Sequence, residues 1–453
     1  MRSGRVVVVG GGIAGLTAAY ALGADHDVLL LEGSREVGGK LRRAEVAGVA
    51  VDVGAESMLN RRPEGVDLLR ELGLPVVHPA STSSSVWSRG ALRRLPRTLL
   101  GVPLDLDDLR ESEVLSDAGL TRVREEPGLP PSDVTVDRPV GTLVAERLGE
   151  EVVERLVEPL LGGVYAGHAR LLSAAATTPQ LVALARQGSL VEAAAELPTS
   201  DVPVFAGVAG GLGPVPTALA DSGRFEVVTS APVRELTRSS AGFTLTVGSA
   251  HDPQRLAAAA VVLACPAAPA ARLLADVAPA AATELASIES ASMAIVTHAF
   301  RGEDLAELAG TTGSGFLVPP VEGRAIKAAT YSFAKWAWVR DVADGLLLLR
   351  TSVGRHREEA ALQRPDEELV ADSLAELQVL AGIAAPPVAS HVQRWGGGLP
   401  QYAVGHLDRV ARIRAHVDGV PGLAVCGATY DGVGIPAVIG SARRAVASVT
   451  RAE

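Results

Sequence analysis

The stretch from Arg5 to Leu31 constrains the fold more than any other part of this chain. A β-branched run, Arg5–Val9, leads into Gly10-Gly11-Gly12-Ile13-Ala14-Gly15, then into the apolar helical segment Leu16–Leu22 and a second β run, Val28–Leu31. Strand, glycine turn, helix and strand in about thirty residues make a βαβ unit. Its parallel strands predict a doubly wound sheet with a ligand at the carboxyl ends of the strands. Glycines at the first, third and sixth places of the turn permit a tight bend and close backbone approach to a pyrophosphate, which the free N–H groups of the helix N-terminus attract. Glu32 ends the second strand, where a carboxylate can accept hydrogen bonds from ribose hydroxyls. A glycine turn serving only tight packing is the bland alternative, and the full strand-turn-helix-strand-Glu context weighs against it.

The apolar run Val6–Ala24 is too interrupted by glycine to be a membrane span and has no cleavage pattern. No other stretch reaches about 18 apolar residues without a charge, proline or glycine. A cytoplasmic protein is expected, with peripheral membrane contact left open. With 453 residues the chain exceeds one core, so two or three domains are expected, at least one of them discontinuous. The net charge of -10 argues against a nucleic-acid partner, since phosphate neutralisation needs a basic face. Cys265 and Cys426 stand singly in apolar runs, without a second thiol or histidine at ligand spacing, so buried thiols and no metal site are expected. Their usage fits a reducing compartment. Lysine occurs only at 40, 327 and 335, as GC-rich codon bias toward arginine would produce.

Further along, Ser81–Pro203 turns from a polar Ser/Thr stretch and a short Arg-rich segment to helical patterning, clearest over Val140–Leu161. Phe225–Val228, Val233–Thr237 and Phe243–Val247 read as short strands, with Ala259–Ala264 a buried strand closing that region. Ala294–Ala299 and Leu346–Ser352 read as strands and Asp366–Leu380 as a helix. Leu423–Cys426 is a last strand, followed by a glycine-rich turn and a helix from about Ala437. That turn, Cys426 to Pro436, offers a second helix N-terminus whose dipole can stabilise negative charge. Its remoteness from Gly10 implies a cofactor domain assembled from both ends of the chain.

Glu32-Gly33-Ser34-Arg35-Glu36-Val37-Gly38-Gly39-Lys40 resembles the second glycine signature of the glutathione-reductase-like and amine-oxidase-like flavoproteins, which implies FAD. Asp52–Ser57 resembles the segment that in these enzymes runs past the flavin ring. Four more stretches, Gly90–Pro96, Glu158–Gly167, Arg394–Tyr402 and Gly405–Leu407, resemble the oxygen-dependent porphyrinogen oxidases of heme synthesis. The soluble, Arg-rich and Ala-rich character resembles their bacterial branch, which takes coproporphyrinogen III to coproporphyrin III with release of hydrogen peroxide. Leu106–Asp133 and Gly396–Gly398 depart from that family's pattern.

The resemblance implies an α/β fold: a Rossmann-type FAD-binding domain, a mixed-sheet substrate domain and a helical insertion. Its boundaries fall at 1–78, 203–290 and 419–453 for the FAD domain, 79–95 and 291–418 for the substrate domain, and 96–202 for the insertion. Carried over residue by residue, FAD contacts fall on Gly10, Gly11, Gly12, Ile13, Ala14, Gly15, Glu32, Gly33, Lys40, Gly54, Ala55, Glu56, Ser57, Val233, Trp395, Val433, Gly434 and Ile435. The cofactor does the electron chemistry in such enzymes, so no acid-base dyad is required. Substrate carboxylates call for arginine, with Arg61 and Arg62 the first candidates and Arg89, Arg93 and Arg94 weaker ones. Tyr165, Tyr402 and His406 either line the pocket or serve as hydrogen-bonded core residues. Expected partners are the porphyrinogen and O2. The sequence leaves open a monomer or homodimer and contact with a ferrochelatase or a membrane surface. Rival readings are a protoporphyrinogen IX oxidase, an amine oxidase, a carotenoid desaturase and a porphyrin carrier without turnover. An amine oxidase needs an aromatic cage, against which the aromatic content of 3% counts.

Overall fold

Val6–Val9, Val28–Leu31 and Ala260–Leu263 are apolar at every position and buried on both faces, as strands inside a two-faced parallel sheet must be. The computed structural model, which describes residues 4–198 and 202–451, sets them side by side in one five-stranded sheet. Its order runs Glu226–Val228, Val28–Leu31, Val6–Val9, Ala260–Leu263, Leu423–Val425, every pairing parallel. One correction follows for Ala259–Ala264. This strand does not close the group of short strands before it; it pairs in register with Val6–Val9. The reason is burial: the neighbouring three-stranded antiparallel sheet, Val233–Ser239, Gly242–Gly248 and Pro253–Ala258, has one wet face, which a strand buried on both sides cannot join. Phe225–Val228 likewise leaves that group to become the edge strand beside Val28–Leu31.

Helices cover both faces of the parallel sheet. Ile13–Leu22 and the C-terminal helix Ile435–Arg451 pack against each other over one face, where Leu16, Ala19, Ile439 and Ala442 share a core. Ala267–Leu274, Pro279–Ala286 and His406–Asp418 cover the other, through Leu274, Leu285 and Ile413. The first helix starts at Ile13, three residues earlier than the apolar pattern suggests, because the glycine turn already carries helical backbone into its end.

A second, seven-stranded sheet mixes antiparallel pairs with one parallel pair, Gly315–Leu317 beside Ser85–Ser88. Its centre is the long antiparallel set Ala389–Pro400, Ser290–Arg301, Leu346–Val353 and Ile326–Thr330. Helix Asp366–Ala381 lies on one face, pinned by a buried chain: His298 Nδ1 meets Ser390 Oγ at 2.8 Å, Nε2 meets Ser373 Oγ at 2.8 Å, and Thr351 Oγ1 meets the same Ser373 at 2.6 Å. Between residues 106 and 195 the chain is helical around its own core of Leu143, Val152, Leu156 and Leu181. The expected helix over 140–161 is broken at Gly149, whose φ of +91° a helix cannot hold, and resumes through a single π-turn into Glu158–Tyr165.

Candidate active site

The two sequence-remote glycine turns meet at the carboxyl ends of the parallel strands. Gly10 (φ +109°) and Gly15 are demanded by packing, since a Cβ on the first would lie 2.8 Å from the Ala264 oxygen and one on the second 1.8 Å from the Gly10 oxygen. Gly12 is different: a Cβ there would meet nothing within 4 Å. It caps the helix Ile13–Leu22 without any side-chain bond, so the first N–H groups of a ten-residue helix face open space. The Gly38 N–H donates to the Gly11 carbonyl at 2.7 Å and Gly39 lies against the Gly12 Cα, which forms the far wall of that space.

Lys40, next in the chain, keeps an exposed surface although protein crowds it closely enough to depress its ammonium pKa through desolvation. Both hold together for a side chain on the wall of a hollow. Glu32 accepts the Gly11 N–H at 2.6 Å and the Ser34 N–H and hydroxyl at 2.7 Å, which fixes its carboxylate beside the turn. The Ala231 N–H donates to the Glu32 carbonyl, and a Cβ on Gly33 would rest 3.6 Å from Pro232. Val233 therefore arrives beside Glu32, in a hollow of about 270 Å³ lined with Arg234, Arg272 and Leu273. A wider surface hollow of 570 Å³, bounded by Glu36, Arg42, Pro216 and Phe225, touches none of the predicted site residues.

The segment 52–57 is held from both sides. Trp395 Nε1–H donates to the Val53 carbonyl at 3.1 Å and Arg350 to the Gly54 carbonyl at 2.9 Å, while the Ala55 N–H donates to the Lys40 carbonyl. A Cβ on Gly54 would strike that same carbonyl at 2.1 Å. Glu56 is buried, with Lys335 at 2.5 Å and Arg350 at 3.1 Å. Burial works against its charge, but the two cations outweigh it and hold its pKa below the usual carboxylate range. Its side chain is thus committed to holding the segment, and Ser57 lies half-buried beside it.

At the other end, the turn before Ile435–Arg451 is clamped by Tyr402. Its hydroxyl donates to the Ala428 carbonyl at 2.5 Å and accepts the Gly432 N–H at 2.8 Å, so one oxygen joins the two limbs of the turn. Asp431 is held by Arg414 and, at 2.7 Å, by Arg444. Gly434 is exposed with free space where a Cβ would be, Val433 packs against the helical core, and Ile435 opens the helix.

Tyr165, Tyr402 and His406 come together as one cluster. The Tyr402 ring stacks on His406 at 3.8 Å between centroids and tilts against Tyr165 at 5.6 Å. All three are buried, and burial drops the His406 pKa to about 4 and raises the Tyr165 pKa to about 12. Tyr402 supports the glycine turn through its hydroxyl, and the His406 ring backs the Tyr402 ring. Arg61 and Arg62 are exposed at the start of helix Pro63–Glu71, and Arg62 is paired with Glu64 at 2.7 Å. Arg93 and Arg94 are paired with Glu113 and Asp108, and Arg89 with the Leu115 carbonyl. Sequence reasoning missed Lys335 and Arg350, whose partners lie 279 and more residues away.

These parts test whether FAD fits. Open space before an uncapped helix N-terminus suits a pyrophosphate, a fixed carboxylate beside it suits a ribose, and a second helix opening at an uncrowded Gly434 suits the ring. The residues present fit the group.

Comparison with known proteins agrees with this geometry. Residues 13–450 match the sequence family described as flavin containing amine oxidoreductase. The chain is 39% identical to the coproporphyrinogen III oxidase of Mycobacterium tuberculosis, over 98% of this chain and 97% of that one. It is 29% identical to the coproporphyrinogen III oxidase of Bacillus subtilis, over 98% and 97%. A solved structure from Exiguobacterium sp. 255-15, described as a protoporphyrinogen oxidase, superposes with a TM-score of 0.88 at 31% identity, covering 100% of this chain and 99% of that one. No helix among the described residues is long and apolar enough to cross a membrane.

Proposed function

From the chain's membership of the flavin containing amine oxidoreductases, to which it belongs over nearly its whole length, we propose that it oxidises coproporphyrinogen III to coproporphyrin III, with O2 as acceptor and hydrogen peroxide as by-product. It is an FAD-dependent oxidoreductase. The observation that carries the substrate is the 39% identity to an enzyme of that name, sustained across 98% of the chain. When bound, FAD supplies a two-electron acceptor that oxygen restores.

The chain's own residues supply position. Gly12 and the helix behind it take the pyrophosphate, Gly39 and Lys40 close over it, and Glu32 receives the ribose hydroxyls. Backbone groups at Val233 meet the adenine. Gly54, Ala55 and Ser57 run along the ring with Trp395 behind them, and Val433, Gly434 and Ile435 meet it from the helix that opens there. The dipole of that helix favours negative charge on the reduced ring. Tyr402 keeps the turn in register without touching the substrate. The FAD domain is assembled from 1–78, 203–290 and 419–453, the substrate domain from 79–95 and 291–418, and 96–202 forms the helical insertion.

The test is oxygen uptake together with porphyrin fluorescence when purified protein meets coproporphyrinogen III or protoporphyrinogen IX. Coproporphyrinogen carries four carboxylates and protoporphyrinogen two, so the first should turn over faster. Equal rates would overturn the substrate assignment. A yellow protein giving a flat trace with both would overturn the enzymatic reading.

A further inference from the structure

We propose that Lys327 and Arg355 form a carboxylate-binding subsite for a propionate side chain of the substrate; this rests on the porphyrinogen reading above. Of the chain's three lysines, Lys40 stands at the glycine turns and Lys335 holds the segment 52–57, which leaves Lys327 without a role in the cofactor machinery.

Lys327 sits in the strand Ile326–Thr330 at a register irregularity between Ile326 and Ala328. It is 5% exposed, and among the described residues its ammonium has no hydrogen-bond or ion-pair partner. Arg355 stands at the same end of the sheet. Its Nη2 donates to the Val318 carbonyl at 3.2 Å, while the Val318 N–H donates to the Lys327 carbonyl at 2.7 Å, so both cations flank one strand junction. Arg355 is 7% exposed, and the carboxylate nearest to it in ion-pair range, Glu358, is 3.8 Å away and half exposed.

Helix Glu158–Tyr165 packs over this strand. The Glu158 carboxylate there is buried and spends one oxygen on the Ala169 N–H, leaving the other without a partner. Gly162 on the same helix is buried, yet a Cβ on it would meet nothing within 4 Å, so space is left beside the helix. The C-terminal end of the helix reaches the flavin side of the molecule: the Gln401 amide donates to the Tyr165 carbonyl at 2.7 Å, and the next residue, Tyr402, clamps the turn before Ile435.

Burial lowers the Arg355 pKa, and the half-exposed Glu358 and the buried Glu158 offset this only in part, so two buried cations share one buried carboxylate, repel each other and lose hydration. Burial first, and the Arg355 charge second, pull the Lys327 pKa down to about 7. A carboxylate arriving between them restores the missing acceptor, receiving planar donors from the guanidinium and a point charge from the ammonium. A substrate with four carboxylates has the chemistry to supply it.

The experiment titrates wild type, Lys327→Met and Lys327→Arg with coproporphyrin III and with its tetramethyl ester, reading porphyrin fluorescence, alongside FAD content and melting temperature. Lys327→Met should weaken coproporphyrin binding about tenfold or more while leaving the ester unchanged. Lys327→Arg should retain most of the affinity. Replacing an unpaired buried charge by an apolar chain of similar length should leave the melting temperature level or raise it. Unchanged coproporphyrin affinity in Lys327→Met, or equal loss of acid and ester, overturns the subsite. If Lys327→Met loses FAD, Lys327→Gln takes its place on the same criteria. Wild type that binds neither porphyrin would instead overturn the porphyrinogen reading, and the subsite's ligand with it.

Discussion

Two glycines of the first turn, three positions apart, answer to different constraints. Gly15 is required by the protein itself, since a Cβ would sit 1.8 Å from the Gly10 oxygen. Nothing in the protein requires Gly12, whose Cβ direction is empty, so on the proposed function only the cofactor demands glycine there. Gly15→Ala should therefore cost about 3 kcal/mol of apoprotein stability through overpacking. Gly12→Ala should melt with wild-type apoprotein yet retain FAD poorly. Thermal melts of stripped protein, followed by FAD titration, separate the two, and a Gly12→Ala apoprotein as unstable as Gly15→Ala would refute the distinction. At this scale the sequence was legible where local geometry dictates residue type, as at Gly10, Gly15, Glu32 and Gly38. It was illegible for the partners of Glu56, since Lys335 and Arg350 arrive from the far half of the chain. For Arg61 and Arg62, nothing in a dipeptide tells whether a guanidinium turns inward or finds a neighbour, as Arg62 finds Glu64.

Elements were legible in proportion to their burial. Val6–Val9 and Val28–Leu31 could be read directly because a strand covered on both faces has no polar residue to confuse its period. Helix Asp366–Ala381 was equally clear, but its attachment was not, because Ser373 looks like a surface serine until His298 is placed beneath it. That attachment makes the fold sensitive to acid. Burial lowers the pKa of both His298 and His406 to about 4, so each is neutral in the fold and must be charged to follow the unfolded chain. A group with a depressed folded pKa contributes its full stability above its unfolded value, near 6.5 for histidine, and loses it as the pH falls from there to 4. Each accounts for roughly 3 kcal/mol on that scale. Asp52 runs the other way, since burial raises its pKa to about 6 and protonation relieves it. Glu158, whose pKa burial also raises, gains in the same direction as Asp52, but both histidines begin to lose stability already near pH 6.5, so urea midpoints should drop between pH 7 and pH 5. His298→Asn should flatten that slope even if it lowers stability at pH 7. A slope identical to wild type would remove His298 from the account.

Taken whole, the molecule is a nucleotide sheet whose five strands come from residues 6–9, 28–31, 226–228, 260–263 and 423–425, with the other sheet and the helical region grown out between them. Pattern alone could foretell that both ends of the chain meet. It could not foretell which middle strands return, because Phe225–Val228 and Ala259–Ala264 have no signal for their partner beyond being apolar. The C-terminal helix Ile435–Arg451 lies on the first helix and on helix Pro63–Glu71, so it closes the core that the first βαβ unit opens. Ending the chain after Gly434 should abolish bound FAD and broaden thermal unfolding, as read by flavin absorbance and calorimetry. A truncated protein that stays yellow and melts sharply would contradict this.

That architecture sets an order of events during synthesis. The first strands emerge from the ribosome some four hundred residues before Leu423–Val425, their eventual companion across the sheet, exists. Until then the Ala260–Leu263 edge lacks a neighbour, and the apolar face that Ile435–Arg451 will cover stays bare, a condition that invites aggregation. The two glycine turns of the cradle stand on either side of that interval, so the complete cradle exists only once the second turn, at 426–436, has been made.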